Sequence, residues 1–176
     1  TSLLAIDKDE FINKRKIQIN TFSTVTSVDF SAKQVVVLSN GKEETHNYDK
    51  LIITTGASAA IPPIKGVNNE GIFVLRTLRD GLNIKDFIAK SNADSVILIG
   101  GGFISLELTE AFLKLGIKVK LIEKASAVAA LMSPEIQKII TESLLNQGVE
   151  VLTSVNISEI IKENNLLKVI TDSGVH

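Results

Sequence analysis

The chain has 176 residues, 44% of them hydrophobic and 22% charged, which at ~150 residues per domain makes about one domain or two incomplete ones. A net charge of −1 argues against a nucleic-acid partner, because a phosphate backbone is gripped by clustered basic residues. With no cysteine, this stretch supplies no disulfide, thiolate metal site or redox dithiol. The apolar run Val96 to Ile104 is far short of the ~20 residues of a membrane helix, so a cytoplasmic chain without membrane partners is expected.

Residues 1–60 read mostly as strands. Asp7 to Lys14 could close a helix, and Ile17-Gln18-Ile19 and Val25 to Val28 alternate with period two. Val35 to Leu38 is an apolar run followed by Asn40-Gly41, a dipeptide that tolerates positive φ at both residues and so signals a hairpin. Leu51 to Thr54 predicts a short strand ending before Gly56, and Pro62-Pro63 must be a connection.

From Thr77 the period changes. Thr77 to Asp80 has the form of a capping box opening a helix that runs to about Lys90. Strand Val96–Ile99, helix Gly102–Leu115 and strand Val119–Ile122 follow, with Gly116 as the cap between the last two. Ser133-Pro134 opens another helix, whose apolar face is Ile136, Ile139, Ile140 and Leu144, before strand Val149–Leu152. This alternation predicts an α/β fold with a parallel sheet, right-handed crossovers and a β-rich flanking segment.

The chemistry concentrates between Val96 and Lys124. Gly100, Gly101 and Gly102 follow a buried strand and open a helix, and Glu123 ends the next strand close to the expected ~20 residues later. Gly100 permits a tight turn, and Gly102 leaves room for a pyrophosphate at a helix N-terminus with free N–H groups. Glu123 can accept hydrogen bonds from both adenosine ribose hydroxyls and repels a 2′-phosphate, which favours NAD over NADP. Ser105 stands where the fingerprint has a third Gly or Ala, a tolerable departure. Plain alternatives stand beside each reading. The glycines could form an ordinary βα turn, Glu123 could be a solvated strand end, and Phe103 and Ile104 could be core residues. Glu107, one helical turn on, could meet the nicotinamide end, and Lys124 is a candidate phosphate ligand although solvation is the commoner outcome there.

Tyr48 to Ala57, Pro62-Pro63-Ile64-Lys65-Gly66, Leu75 to Asp80 and the glycine segment together resemble the pyridine nucleotide-disulfide oxidoreductases in order and spacing. Within them, the chain is most similar to the branch of coenzyme A-disulfide reductases and NADH oxidases. The resemblance implies an internal fragment with a Rossmann-like FAD/NAD(P)-binding fold. Residues 1–75 would be part of an FAD-binding domain, and 76–176 an NAD-binding domain incomplete at its C-terminus. It further implies hydride transfer from NADH to FAD and on to a disulfide, peroxide or oxygen acceptor, in a full-length homodimer. A rubredoxin- or ferredoxin-type NADH reductase and a non-catalytic NAD sensor are the alternatives. By resemblance, Thr55 and Gly56 lie near FAD, with Arg76 at the domain junction. Gly100 to Ile104 and Glu123 line the NAD site, with Glu107 near the nicotinamide and Phe103 at the aromatic position covering the flavin. No catalytic residue and no metal ligand is assigned in this chain.

Overall fold

A computed structural model describes residues 9–164 and 166–176. The chain forms two compact units, Thr1–Gly56 and Ala57–His176.

In the first unit, a single π-helical turn, Glu10–Lys14, precedes a three-stranded antiparallel sheet. Its strands are β1 (Ser23–Asp29), β2 (Gln34–Ser39) and β3 (Lys42–Asn47), paired in that order. Asn40 and Gly41 take φ of 50° and 76°, the twist that lets a two-residue turn pair Ser39 with Lys42. Between β1 and β2, Asp29 Oδ1 accepts the amides of Ser31 and Ala32 at 2.9 and 2.8 Å, an Asx turn that reverses the chain.

Two expected strands do not form. The Ile17 amide donates instead to Phe11 O at 3.0 Å, behind Lys16 at φ 55°, which folds Ile17–Ile19 back on the π-turn. Leu51–Thr54 has no ladder partner among the described residues, and a strand is held only by pairing with a neighbour. Its Ile52 is 83% exposed. The expected helix end at Asp7 and Lys8 lies outside the described residues.

The second unit carries the strand–helix alternation. Helix α1 (Leu78–Ser91) starts at a complete capping box. Asp80 N donates to Thr77 Oγ1 at 3.2 Å, and Thr77 N donates back to Asp80 Oδ2 at 2.7 Å. Then come β4 (Ser95–Ile99), α2 (Phe103–Lys114), β5 (Lys118–Ile122), α3 (Pro134–Asn146) and β6 (Glu150–Leu152). The three strands pair in parallel in the order β4-β5-β6. Gly116 and Gly148, at φ of 75° and 80°, reverse the chain after α2 and α3.

Period-two alternation assigns each strand two faces. Leu98, Val119 and Leu121 enter a core with Phe112 of α2 and Leu144 of α3. Ile97, Ile122 and Leu152 face the other way, into a second cluster with Val155, Ile160 and Val169. At roughly 1.5–3 kcal/mol for each fully buried aliphatic side chain, burial on both faces of this sheet stabilises the second unit.

The second layer was not legible in the sequence. It is an antiparallel sheet of β7 (Ile157–Glu163), β8 (Leu166–Thr171) and β9 (Gly174–Val175). Lys65 bridges to Glu159, and Asn69 Nδ2 donates to Ile160 O at 3.0 Å, so the stretch after Gly56 packs on this layer. The predicted apolar face of α3 is also narrower than expected. Leu144 is buried and Ile140 packs on the core, but Ile136 and Ile139 are 43% and 60% exposed. The sheet meets only one stripe of the helix. Ser133 is the N-cap residue of α3, yet its side chain makes no cap bond. Its hydroxyl bonds Glu135 instead, which holds that carboxyl below its ordinary range.

Candidate functional site

The site is built at the C-terminal ends of β4 and β5, where open α/β sheets bind their ligands. Gly100 leaves β4 at φ 95°, a backbone that residues with a Cβ rarely adopt, while its amide still donates to Ile122 O at 2.8 Å. The turn therefore starts from a fixed sheet edge.

Gly101 then crosses the end of β5. Its amide donates to Glu123 Oε2 at 2.5 Å, and its carbonyl accepts Ala129 N at 2.8 Å. A Cβ on Gly101 would lie 3.0 Å from Val128 Cγ1 and 3.2 Å from Glu123 Oε2, so any larger residue would have to push these neighbours aside by a few tenths of an ångström. Gly102 differs. It is exposed, and a Cβ there would meet nothing within 4 Å. Open space over Gly102, at the N-cap of a 12-residue helix, is the cradle a pyrophosphate needs. The first helical bond is Leu106 N to Gly102 O at 3.1 Å, so the amides of Phe103, Ile104 and Ser105 precede it and are available to an anion.

Glu123 is fixed from several sides. Its Oε1 accepts Ala125 N at 2.6 Å, its own amide donates to Leu152 O at 2.8 Å, and its carbonyl accepts Val155 N at 3.1 Å. The carboxylate is half-buried, whereas the neighbouring Lys124 is exposed. Phe103 and Ile104 are 49% and 55% exposed and thus lie outside the core. Glu107 is exposed one turn along α2.

The other sequence-predicted residues stand apart from this loop. Thr55 and Gly56 belong to the first unit and are exposed there. Arg76, in the second, donates through Nε to Ala57 O at 3.2 Å and through its amide to Asp80 Oδ2 at 3.0 Å. The amide of Thr77, then its hydroxyl and the Arg76 amide, hold the Asp80 carboxyl below its ordinary range.

Sequence reasoning missed Ala125, Val128 and Ala129, which clamp the glycine turn. Their signal is the small-residue run Ala125 to Ala130 after a strand-ending acid, which permits one loop to lie against another. Among the described residues, no group of three or more histidines and carboxylates could hold a metal ion. No described helix is long and apolar enough to cross a membrane.

Residues 4–176 match the family model described as pyridine nucleotide-disulphide oxidoreductase. The chain is 32% identical over 172 residues to an NAD(P)H coenzyme A polysulfide/persulfide reductase of Pyrococcus horikoshii, which covers 98% of this chain and 38% of that protein. It is 30% identical over 170 residues to an NADH oxidase of Methanocaldococcus jannaschii, covering 96% and 38%. Among solved structures, an NAD-dependent persulfide reductase from A. fulgidus superposes with a TM-score of 0.83 at 32% identity, covering 96% of this chain and 31% of that one. The chain thus spans about 38% of the length of the curated relatives it matches. The fold is the α/β, Rossmann-like one of FAD/NAD(P)-binding oxidoreductases.

Proposed function

Because the chain belongs to the pyridine nucleotide-disulphide oxidoreductase family, we propose that it supplies the NADH-binding part of a flavoprotein oxidoreductase. In the whole protein, hydride passes from NADH to FAD, and electrons continue to a disulfide, peroxide or oxygen. The relatives named as a coenzyme A polysulfide/persulfide reductase and an NADH oxidase support a sulfur acceptor and an oxidase activity within this range. Residues 76–176 form the NAD-binding domain, residues 1–75 form part of an FAD-binding domain, and the full-length protein is a cytoplasmic homodimer.

One observation carries the reading: an open glycine cradle at a helix N-terminus lies directly against a strand-ending carboxylate. The exposed amides at the start of α2 bind the pyrophosphate, and Gly102 lets it approach. Glu123 receives the adenosine ribose hydroxyls and repels a 2′-phosphate, while Phe103, Ile104 and Glu107 line the route toward the nicotinamide. Lys124 remains beside the site as a phosphate contact. Thr55 and Gly56 contribute contacts to FAD, and Arg76 is a further cofactor-binding residue. Bound flavin supplies the hydride-accepting chemistry, and the protein supplies position and electrostatics.

The test is Glu123→Ala in the full-length protein. Losing two charge-assisted bonds, partly replaced by water, should weaken NADH binding by roughly 1–3 kcal/mol, or about 5- to 150-fold. NADPH should lose less, because repulsion of its 2′-phosphate disappears as well. Unchanged NADH affinity, measured by titrating the flavin spectrum, would overturn the assignment.

A further inference from the structure

Both carboxylate oxygens of Glu123 are engaged by the protein itself. Oε2 accepts the amide of Gly101 at 2.5 Å and Oε1 that of Ala125 at 2.6 Å. These donors come from different connections, β4–α2 and β5–α3. We propose that Glu123 is also a positioning residue, a latch that holds the glycine turn in its nucleotide-accepting form before nucleotide arrives. The proposal rests on the dinucleotide reading above and deepens it.

The physical case is one of donors and lone pairs. An ionised carboxylate offers about four lone-pair sites. Two amides take one site on each oxygen, which leaves one on each oxygen for a vicinal diol. Latch and ligand therefore use the same group without competing.

The turn also needs a latch. Gly100 and Gly102 have no side chain to hold them, and a Cβ at either would meet nothing within 4 Å. Gly101 is held by Glu123 through its amide and by Ala129 through its carbonyl. With its amide committed to Glu123, Gly101 shapes the cradle, and the amides at the start of α2 are left to contact the ligand. Glutamine cannot replace this latch, because its one oxygen can face one amide while its NH2 would face the other donor.

The experiment uses the full-length flavoprotein and amide exchange resolved to single residues. In the nucleotide-free wild type, the Gly101 and Ala125 amides should exchange at least about tenfold more slowly than those of Phe103 and Ile104. Glu123→Gln should remove that protection. It should also weaken binding of reduced nicotinamide mononucleotide, which lacks the adenosine ribose, by about threefold or more. For NADH the loss should reach about tenfold and fall on KM rather than kcat. Equal exchange of the four amides in the wild type would overturn the latch, and that result needs no variant to fold. Unchanged affinity of Glu123→Gln for the mononucleotide would overturn it too. By contrast, if NAD+ failed to slow exchange at Phe103 and Ile104 in the wild type, the dinucleotide reading would fall and the latch could still stand.

Discussion

Residues 9–56 and the second unit are ordered in different ways. In the first, hydrogen bonds and turn residues fix a three-stranded register, yet no described residue is buried. Phe22 and Phe30, near the two ends of β1, are 93% and 70% exposed. In the second unit, each parallel strand is sandwiched, and Leu121, Ile122 and Val128 are at most 1% exposed. Backbone pairing can therefore be written locally, by Asn40-Gly41 and the Asp29 turn. Burial requires segments far apart in the chain to meet. Stability should follow burial.

Substitutions that strike the two regions alike can break this contrast. Leu121→Ala should destabilise the protein by about 2–5 kcal/mol, through lost transfer energy and a cavity. Val25→Ala, at a side chain 54% exposed, should cost no more than about 0.5 kcal/mol. Denaturant titration decides, and similar losses would show that the first unit has a core of its own.

Glycines at matching backbone angles sharpen the contrast. Gly41 and Gly66 have φ of 76° and 81°, but an added Cβ meets open space at Gly41 and lies 1.9 Å from Ile160 O at Gly66. Gly41→Ala should cost only the left-handed strain, about 1–2 kcal/mol. Gly66→Ala adds a backbone clash and should cost roughly 2–4 kcal/mol in thermal melts. Equal shifts in Tm would mean that the segment at Gly66 yields easily.

The smallest effect is one of pH. In the second unit, Asp80 is held below its ordinary pKa by the Thr77 amide, and Asp172 by the Asn156 side chain. A depressed folded-state pKa adds stability that is complete above the unfolded value and is lost as pH falls through the folded one. Melting temperature should therefore fall as pH drops below the ordinary aspartate range, and Asp80→Asn should flatten that slope. An unaltered slope would remove the capping box from the acid response.

The sequence made the β4-α2-β5-α3-β6 order legible because each boundary carries local chemistry, from the Thr77–Asp80 box to Pro134 and the capping glycines. The β7–β9 layer stayed hidden for a physical reason. A register shift between Ile157 and Glu159, and the paired apolar residues Ile160-Ile161 and Leu166-Leu167, blur the period of two. At the site, the spacing of Glu123 from the glycines was readable, and so was their role as a turn. Its bonds to Gly101 and Ala125 were not, because the direction of a backbone amide is set by the dihedral angles of the preceding residues and by loop closure, which residue type alone does not specify.

The bond from Asn69 Nδ2 to Ile160 O joins groups 91 positions apart. On a ribosome adding ~5–20 residues per second, the Gly66–Asn69 turn emerges roughly 5–20 s before its partner strand exists. During that interval Ile64 and Ile72 have no second layer to cover them, while the helices and first strands of the parallel sheet can already collapse. The unit is thus completed from its C-terminal side. Its earliest-made stretch is the last to be secured, and this is the nascent surface a chaperone would meet.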